Sequence, residues 1–123
     1  STEDKYLKRA GLDYWNMLDV NYYDSLSEVL NKYHNCNAFF TTTKAPQGYH
    51  EVNYSKTDLL IFGKETAGLS ENLLKNNLNT CIRIPMIDNA RSLNLANSVS
   101  IILYEALRQN NFQGFKIGGK FTD

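Results

Sequence analysis

Apolar residues along the chain fall into short continuous runs and helical stripes by turns, which predicts strands interleaved with helices. Residues 24–34 place Leu26, Val29, Leu30 and Tyr33 on one face, with Ser25 and Glu28 at capping-box spacing, and read as a helix. Residues 37–43 are aromatic and β-branched, the composition of a strand. Residues 44–57 hold Pro46 and Gly48 and read as a loop. Residues 58–62 are a continuous apolar run ending at Gly63, the pattern of a parallel strand covered on both faces. A short helix capped by Ser70 is expected over 70–78, then a third strand over 80–84 ended by Pro85, then a loop over 86–91. The longest helix opens at Ser92 or Leu93 and runs to Gln109, with Asn110 and Asn111 suited to its end. Residues 4–10 read as a further short helix stopped by Gly11, and residues 111–123, with Gly114, Gly118 and Gly119, as a flexible tail.

This order of elements predicts one α/β domain over residues 1–123 with a mostly parallel sheet. Ligands of such sheets lie at the carboxyl ends of the strands, so any site is expected from the loops 41–44, 63–68 and 85–92. The last helix carries Ala96, Val99, Leu103, Ala106 and Leu107 as one core-facing stripe, and Leu95, Ile101, Ile102 and Tyr104 widen the apolar surface beyond it. A helix this apolar has two buried sides. The expectation is a homodimer in which a partner subunit covers the second side near Tyr104; a central helix in a monomer is the alternative.

Composition narrows the classes. The chain has 123 residues, is 42% hydrophobic and 12% aromatic, and can build a core. Thirteen basic residues balance thirteen acidic ones, which argues against a non-specific polyanion binder but leaves room for a local basic patch. Its longest apolar stretches, 59–62 and 99–104, fall short of a membrane span, and the opening Ser-Thr-Glu-Asp-Lys is not expected to be a signal peptide. Cys36 and Cys81 stand without a C-x-x-C or a nearby histidine pair, so no metal site or disulfide framework is expected, and a cytoplasmic location fits.

Two segments carry candidate chemistry. Gly63-Lys64-Glu65-Thr66-Ala67-Gly68 follows a strand and precedes a helix; its glycines let backbone approach a ligand, and Glu65 adds a carboxylate. It is neither a Walker loop nor a dinucleotide fingerprint, and alone it reads as an ordinary strand-to-helix turn. Arg83-Ile84-Pro85-Met86 leads to Ala90-Arg91-Ser92-Leu93-Asn94-Leu95-Ala96. Ser92 and Asn94 are natural helix caps, and they also make a helix start able to hold an anion, with Arg91 beside them able to pair with phosphate.

Taken in order, strand, G-x-E-x-x-G, helix, strand, I-P-M, loop and S-L-N-L-A resemble motifs two and three of the SPOUT methyltransferases. Lys8-Arg9-Ala10-Gly11-Leu12-Asp13-Tyr14, Thr42-Thr43-Lys44, and the stretch from Val99-Ser100 through Tyr104-Glu105-Ala106 further resemble the tRNA (cytidine/uridine-34)-2′-O-methyltransferases. The resemblance covers about residues 4–109. It implies a trefoil-knotted α/β fold, a homodimer, S-adenosylmethionine as cofactor, and methyl transfer to the ribose 2′-hydroxyl of the tRNA wobble nucleotide. By position it assigns the cofactor to Thr41, Gly63, Glu65, Ile84, Met86, Ser92, Leu93 and Ala96, and the reacting ribose to Ser92, Asn94 and Arg91. Lys8, Arg9 and Arg91 become candidates for RNA phosphates of the anticodon stem-loop, and Tyr14 and Trp15 for stacking on an unpaired base. Trp15 stands where some relatives have His. The family's opening strand, Asn-rich loop and arginine-bearing helix have no counterpart here, so a strand and a helix are expected to be missing from the sheet. A non-catalytic dimer that binds S-adenosylmethionine or RNA is the alternative function.

Overall fold

The structure is a computed structural model, and the residues it describes are 25–63, 69–87 and 93–121. The expected helix over 4–10 and the candidates Lys8, Arg9, Tyr14, Trp15, Glu65, Arg91 and Ser92 lie outside them. The chain divides into two compact units, Ser1–Asn37 and Ala38–Asp123.

In the first unit, α1 spans Leu26–Lys32. Ser25 is extended, and its hydroxyl accepts the Glu28 N–H at 3.4 Å, the cap that its spacing predicts. Leu26, Val29, Leu30 and Tyr33 are half-buried, whereas Ser27, Glu28, Asn31 and Lys32 are exposed. The helix ends two residues before the expected His34, because the Cys36 N–H turns back to the Tyr33 carbonyl at 2.9 Å.

In the second unit, β1 (Ala38–Thr41), β2 (Leu59–Phe62) and β3 (Cys81–Ile82) form a parallel sheet in the order β2-β1-β3. Phe40 sits opposite Ile61 on one side and Cys81 on the other. All three strands are shorter than their expected spans, each for a local reason. Beyond β1, the Thr42 hydroxyl accepts the Lys44 N–H at 3.1 Å and its carbonyl accepts the Ala45 N–H, so the chain turns away. Before β2, the Asp58 carboxylate takes the Ser55 N–H at 2.8 Å and the Ser55 hydroxyl at 2.7 Å, which makes Asp58 a turn residue. Ile84, expected to end the third strand, lies past it; Arg83 pairs only with Gly48 in an isolated bridge. As an edge strand, β2 stays half-exposed rather than covered on both faces.

α2 (Glu71–Lys75) is capped by the Ser70 hydroxyl, which accepts the Leu73 N–H at 3.3 Å. α3 (Leu95–Gln109) has 15 residues, and its cap is Asn94, whose side chain accepts the Asn97 N–H at 2.9 Å. Its far end closes as a Schellman motif: Phe112 N–H to the Leu107 carbonyl at 2.8 Å, Asn111 N–H to that of Arg108 at 3.0 Å, with Asn111 at φ 62°. The side of α3 that enters the core matches the expected stripe only at Ala96 and Ala106. Ile102, which the pattern puts on the outer surface, is fully buried, and Ala96 is buried with it, while Val99, Leu103 and Leu107 are only half-buried. Tyr104 is exposed.

Phe39, Tyr54, Ile82 and Ile102 make the core, with Leu60, Phe62, Ile84 and Ala106 packed against it. Tyr54 enters from the long loop between β1 and β2, its ring 4.9 Å from that of Phe39. The last turn of α3 clamps this loop: Gln109 accepts the Tyr54 N–H at 2.8 Å and donates to the Val52 carbonyl at 2.9 Å, and Asn110 donates to the Tyr54 carbonyl at 3.1 Å. The Tyr54 hydroxyl donates to the Tyr49 carbonyl.

Burial, with a smaller contribution from Glu105, pushes the Tyr54 phenol well above its ordinary range. The unfolded chain therefore loses this proton first as pH rises, and stability falls above pH ~10, the ordinary tyrosine value. Thermal melts of wild type and Tyr54→Phe across pH 8 to 11 are expected to converge at the alkaline end, the variant being about 1 kcal/mol less stable near neutrality. Parallel curves would show that Tyr54 does not carry this alkaline loss.

Candidate active site

The carboxyl ends of β1 and β2 meet the first turn of α3 in an open cleft of about 390 Å³, lined by Thr41, Phe62, Gly63, Leu93, Asn94, Leu95 and Ser98. Sheet topology explains the location: parallel strands deliver their loops to one edge, and the helix that follows begins there. Thr41 is the last residue of β1, and Gly63 directly follows β2. The Thr41 hydroxyl oxygen is buried and has no hydrogen-bond partner among the described residues. A buried, unsatisfied hydroxyl costs about 1–3 kcal/mol, which a hydrogen-bonding ligand would offset.

Asn94 and Ser98 stand one helical turn apart on the wall of this cleft. The Asn94 carbonyl oxygen is committed to the helix cap, and its NH₂ has no hydrogen-bond partner among the described residues. Phe62, Leu93 and Leu95 supply apolar wall. The fold thus brings together four of the residues singled out in the sequence: Thr41, Gly63, Leu93 and Asn94. Ile84 packs on the core, Ala96 is buried at 4% exposure, Met86 is half-buried, and none of the three lines the cleft. Phe62, Leu95 and Ser98 escaped the sequence reading, although Phe62 precedes Gly63 and Ser98 lies four residues beyond Asn94.

A second cleft, of about 490 Å³, is lined by residues 50–54 with Arg108 and Gln109. It is the larger, but it lies by the last turn of α3, about 20 Å along the helix from Asn94. Its polar groups are largely spent on structure: Gln109 clamps the loop, and Arg108 donates to Glu105 at 2.8 Å and holds that carboxyl below the usual range. The strand-end cleft has the unsatisfied groups.

A parallel α/β unit with its cleft at the strand ends, beside a helix capped by Asn94, has counterparts among RNA-modifying methyltransferases. The chain belongs to the SpoU rRNA Methylase family, whose model matches residues 1–104. A Bacillus subtilis protein provisionally named tRNA (cytidine(34)-2′-O)-methyltransferase is 45% identical over 119 residues, which is 94% of this chain and 74% of that one. A structure solved for insight into 2′-OH methylation of C/U34 on tRNA is similar with a TM-score of 0.70 and 35% identity, over 85% of this chain and 68% of that one. The SpoU methyltransferase AviRb from Streptomyces viridochromogenes, in complex with the cofactor AdoMet, is similar with a TM-score of 0.61 and 32% identity, over 72% of this chain and 37% of that one.

Proposed function

We propose that this chain is an S-adenosylmethionine-dependent tRNA methyltransferase acting on the ribose 2′-hydroxyl of the wobble nucleotide, cytidine or modified uridine 34. The observation that carries the reading is the strand-end cleft with its unsatisfied Thr41 hydroxyl, in a chain whose relatives bear that activity in their names. The residues fit the cofactor. Phe62, Leu93 and Leu95 offer apolar wall to an adenine, Gly63 lets backbone come close, and Thr41 offers a hydroxyl that needs a partner. When bound, S-adenosylmethionine supplies the activated methyl group.

The protein's task is to align the 2′-oxygen with that methyl and to keep competing water out. Asn94 presents its NH₂ to the ribose while its carbonyl oxygen holds the start of α3 rigid. Ser92 and Arg91 complete the ribose and phosphate contacts, and Glu65 stands beside the cofactor as the family resemblance implies. Lys8 and Arg9 take RNA phosphates. The outer side of α3 around Tyr104 pairs with a second copy, and the fold carries the family's trefoil knot. Among the described residues no helix is long and apolar enough to cross a membrane, and a tRNA substrate fits a cytoplasmic enzyme.

Incubation with S-adenosylmethionine and bacterial tRNA lacking the modification, followed by mass-spectrometric mapping of 2′-O-methyl nucleosides, is expected to place one new methyl at position 34. Tight cofactor binding with no methylated ribose would sink the reading and leave a binding module. Thr41→Val separates cofactor from fold. The change removes the orphaned hydroxyl, so the unliganded protein is expected to gain about 1 kcal/mol while affinity for S-adenosylhomocysteine drops roughly 3- to 10-fold. Calorimetric titration beside a thermal melt reads both; a variant with unchanged affinity would free Thr41 of a cofactor role.

A further inference from the structure

We propose that residues 115–121, Phe-Lys-Ile-Gly-Gly-Lys-Phe, form an arm that contacts the unpaired nucleotides of the RNA substrate, an inference that rests on the tRNA reading above. The segment lies beyond the family match, which stops at residue 104. Its root is built. Phe112 is fixed by the Schellman closure of α3, its ring lies 6.0 Å from Tyr104 and 6.2 Å from Phe115, and the Phe115 N–H bonds the Phe112 carbonyl at 2.9 Å. Gly114, at φ 86°, turns the chain there. Past this anchor the side chains are presented to solvent. Ile117 is 76% exposed and Phe121 fully exposed, and a Cβ on Gly118 or Gly119 would meet nothing within 4 Å.

Charge and chemistry select the partner. Between Glu105 and Asp123 the chain has Arg108, Lys116 and Lys120 and no acidic residue, so a chain of zero net charge carries a local basic stretch here. Arg108 is held by Glu105, whereas Lys116 and Lys120 form no ion pair among the described residues. Cations flanking aromatic rings are the pattern of single-stranded RNA binding: lysines meet phosphates, and a phenyl face stacks on any base. The two glycines let Phe121 swing to a base without a steric cost. The apolar residues are too few and follow no helical stripe, which disfavours insertion into a lipid surface.

The test measures affinity for a tRNA anticodon stem-loop over a range of KCl concentrations, with S-adenosylhomocysteine affinity and light-scattering mass taken on the same samples. Lys116→Ala with Lys120→Ala is expected to reduce the slope of log affinity against log salt by about 1.4. Phe121→Ala is expected to weaken binding at least ~5-fold with the slope unchanged. Both variants are expected to keep cofactor affinity and mass. Variants that bind RNA as wild type does would overturn the arm while leaving position-34 methylation standing. A fall in mass would also overturn it and assign the segment to contact between copies. A wild-type chain that methylates nothing and binds no RNA would overturn both readings.

Discussion

Ile102→Ala is expected to destabilise the chain by about 2–5 kcal/mol, the range for emptying a buried aliphatic position. Ile102 has no exposure and sits against Phe39, Tyr54 and Ile82, elements from three separate parts of the second unit. Its removal leaves a void that none of these rigid neighbours can fill. Domains of this size are stable by only ~5–15 kcal/mol, so the loss takes a large share of the total. Ile102→Val is expected to cost about 0.5–1.5 kcal/mol, which keeps the test readable if the alanine variant does not fold. Urea denaturation with an unchanged m-value is the measurement. Leu103→Ala, one position on and half-buried, is expected to cost less than Ile102→Ala in dilute protein. The reverse order would restore the apolar stripe through Leu103 as the core face.

Asn94 is expected to show two separable losses. Asn94→Ala removes the acceptor for the Asn97 N–H, worth about 1 kcal/mol for a helix cap, and it also removes the NH₂ proposed to meet the ribose. Methyl transfer is expected to fall on the order of 100-fold or more, the scale of losing one well-placed hydrogen-bond donor at a reacting centre. Asn94→Asp keeps the cap oxygen and so the melting temperature, but has no NH₂. Single-turnover rates for the three proteins, read beside their melts, divide the roles. If the aspartate variant methylates at the wild-type rate, Asn94 is a cap and nothing more.

Much of this was legible from local pattern. Leu26, Val29, Leu30 and Tyr33 at helical spacing share the half-buried side of α1, and Ser25 and Ser70 cap the helices their positions foretold. Both signals act within one or two turns of chain, where sequence neighbours are also spatial neighbours. Thr41, Gly63 and the Leu93-Asn94 pair converge because a parallel sheet puts its strand ends on one edge, a consequence of the element order alone. The element ends were less legible. Thr42 and Asp58 each accept a nearby backbone N–H with a side-chain oxygen and turn the chain, a competition that an apolar run does not display.

The order of strands and helices, the caps at Ser25 and Ser70, and the placement of a cleft at the strand ends are therefore properties of the chain read locally. The strand order β2-β1-β3, the choice of Ile102 over Leu103 as the residue that α3 sends into the core, and the burial of Tyr54 from a segment that reads only as loop are not. α3 is apolar around most of its circumference, so its periodicity has no single answer; the direction is decided by where the sheet and the Gln109-clamped loop press against it. The same contacts keep Ile84 and Ala96 out of the cleft and bring Phe62 and Ser98 to its wall. Those outcomes depend on atoms tens of residues apart in sequence, and their energies exist only once the chain has closed the intervening loops.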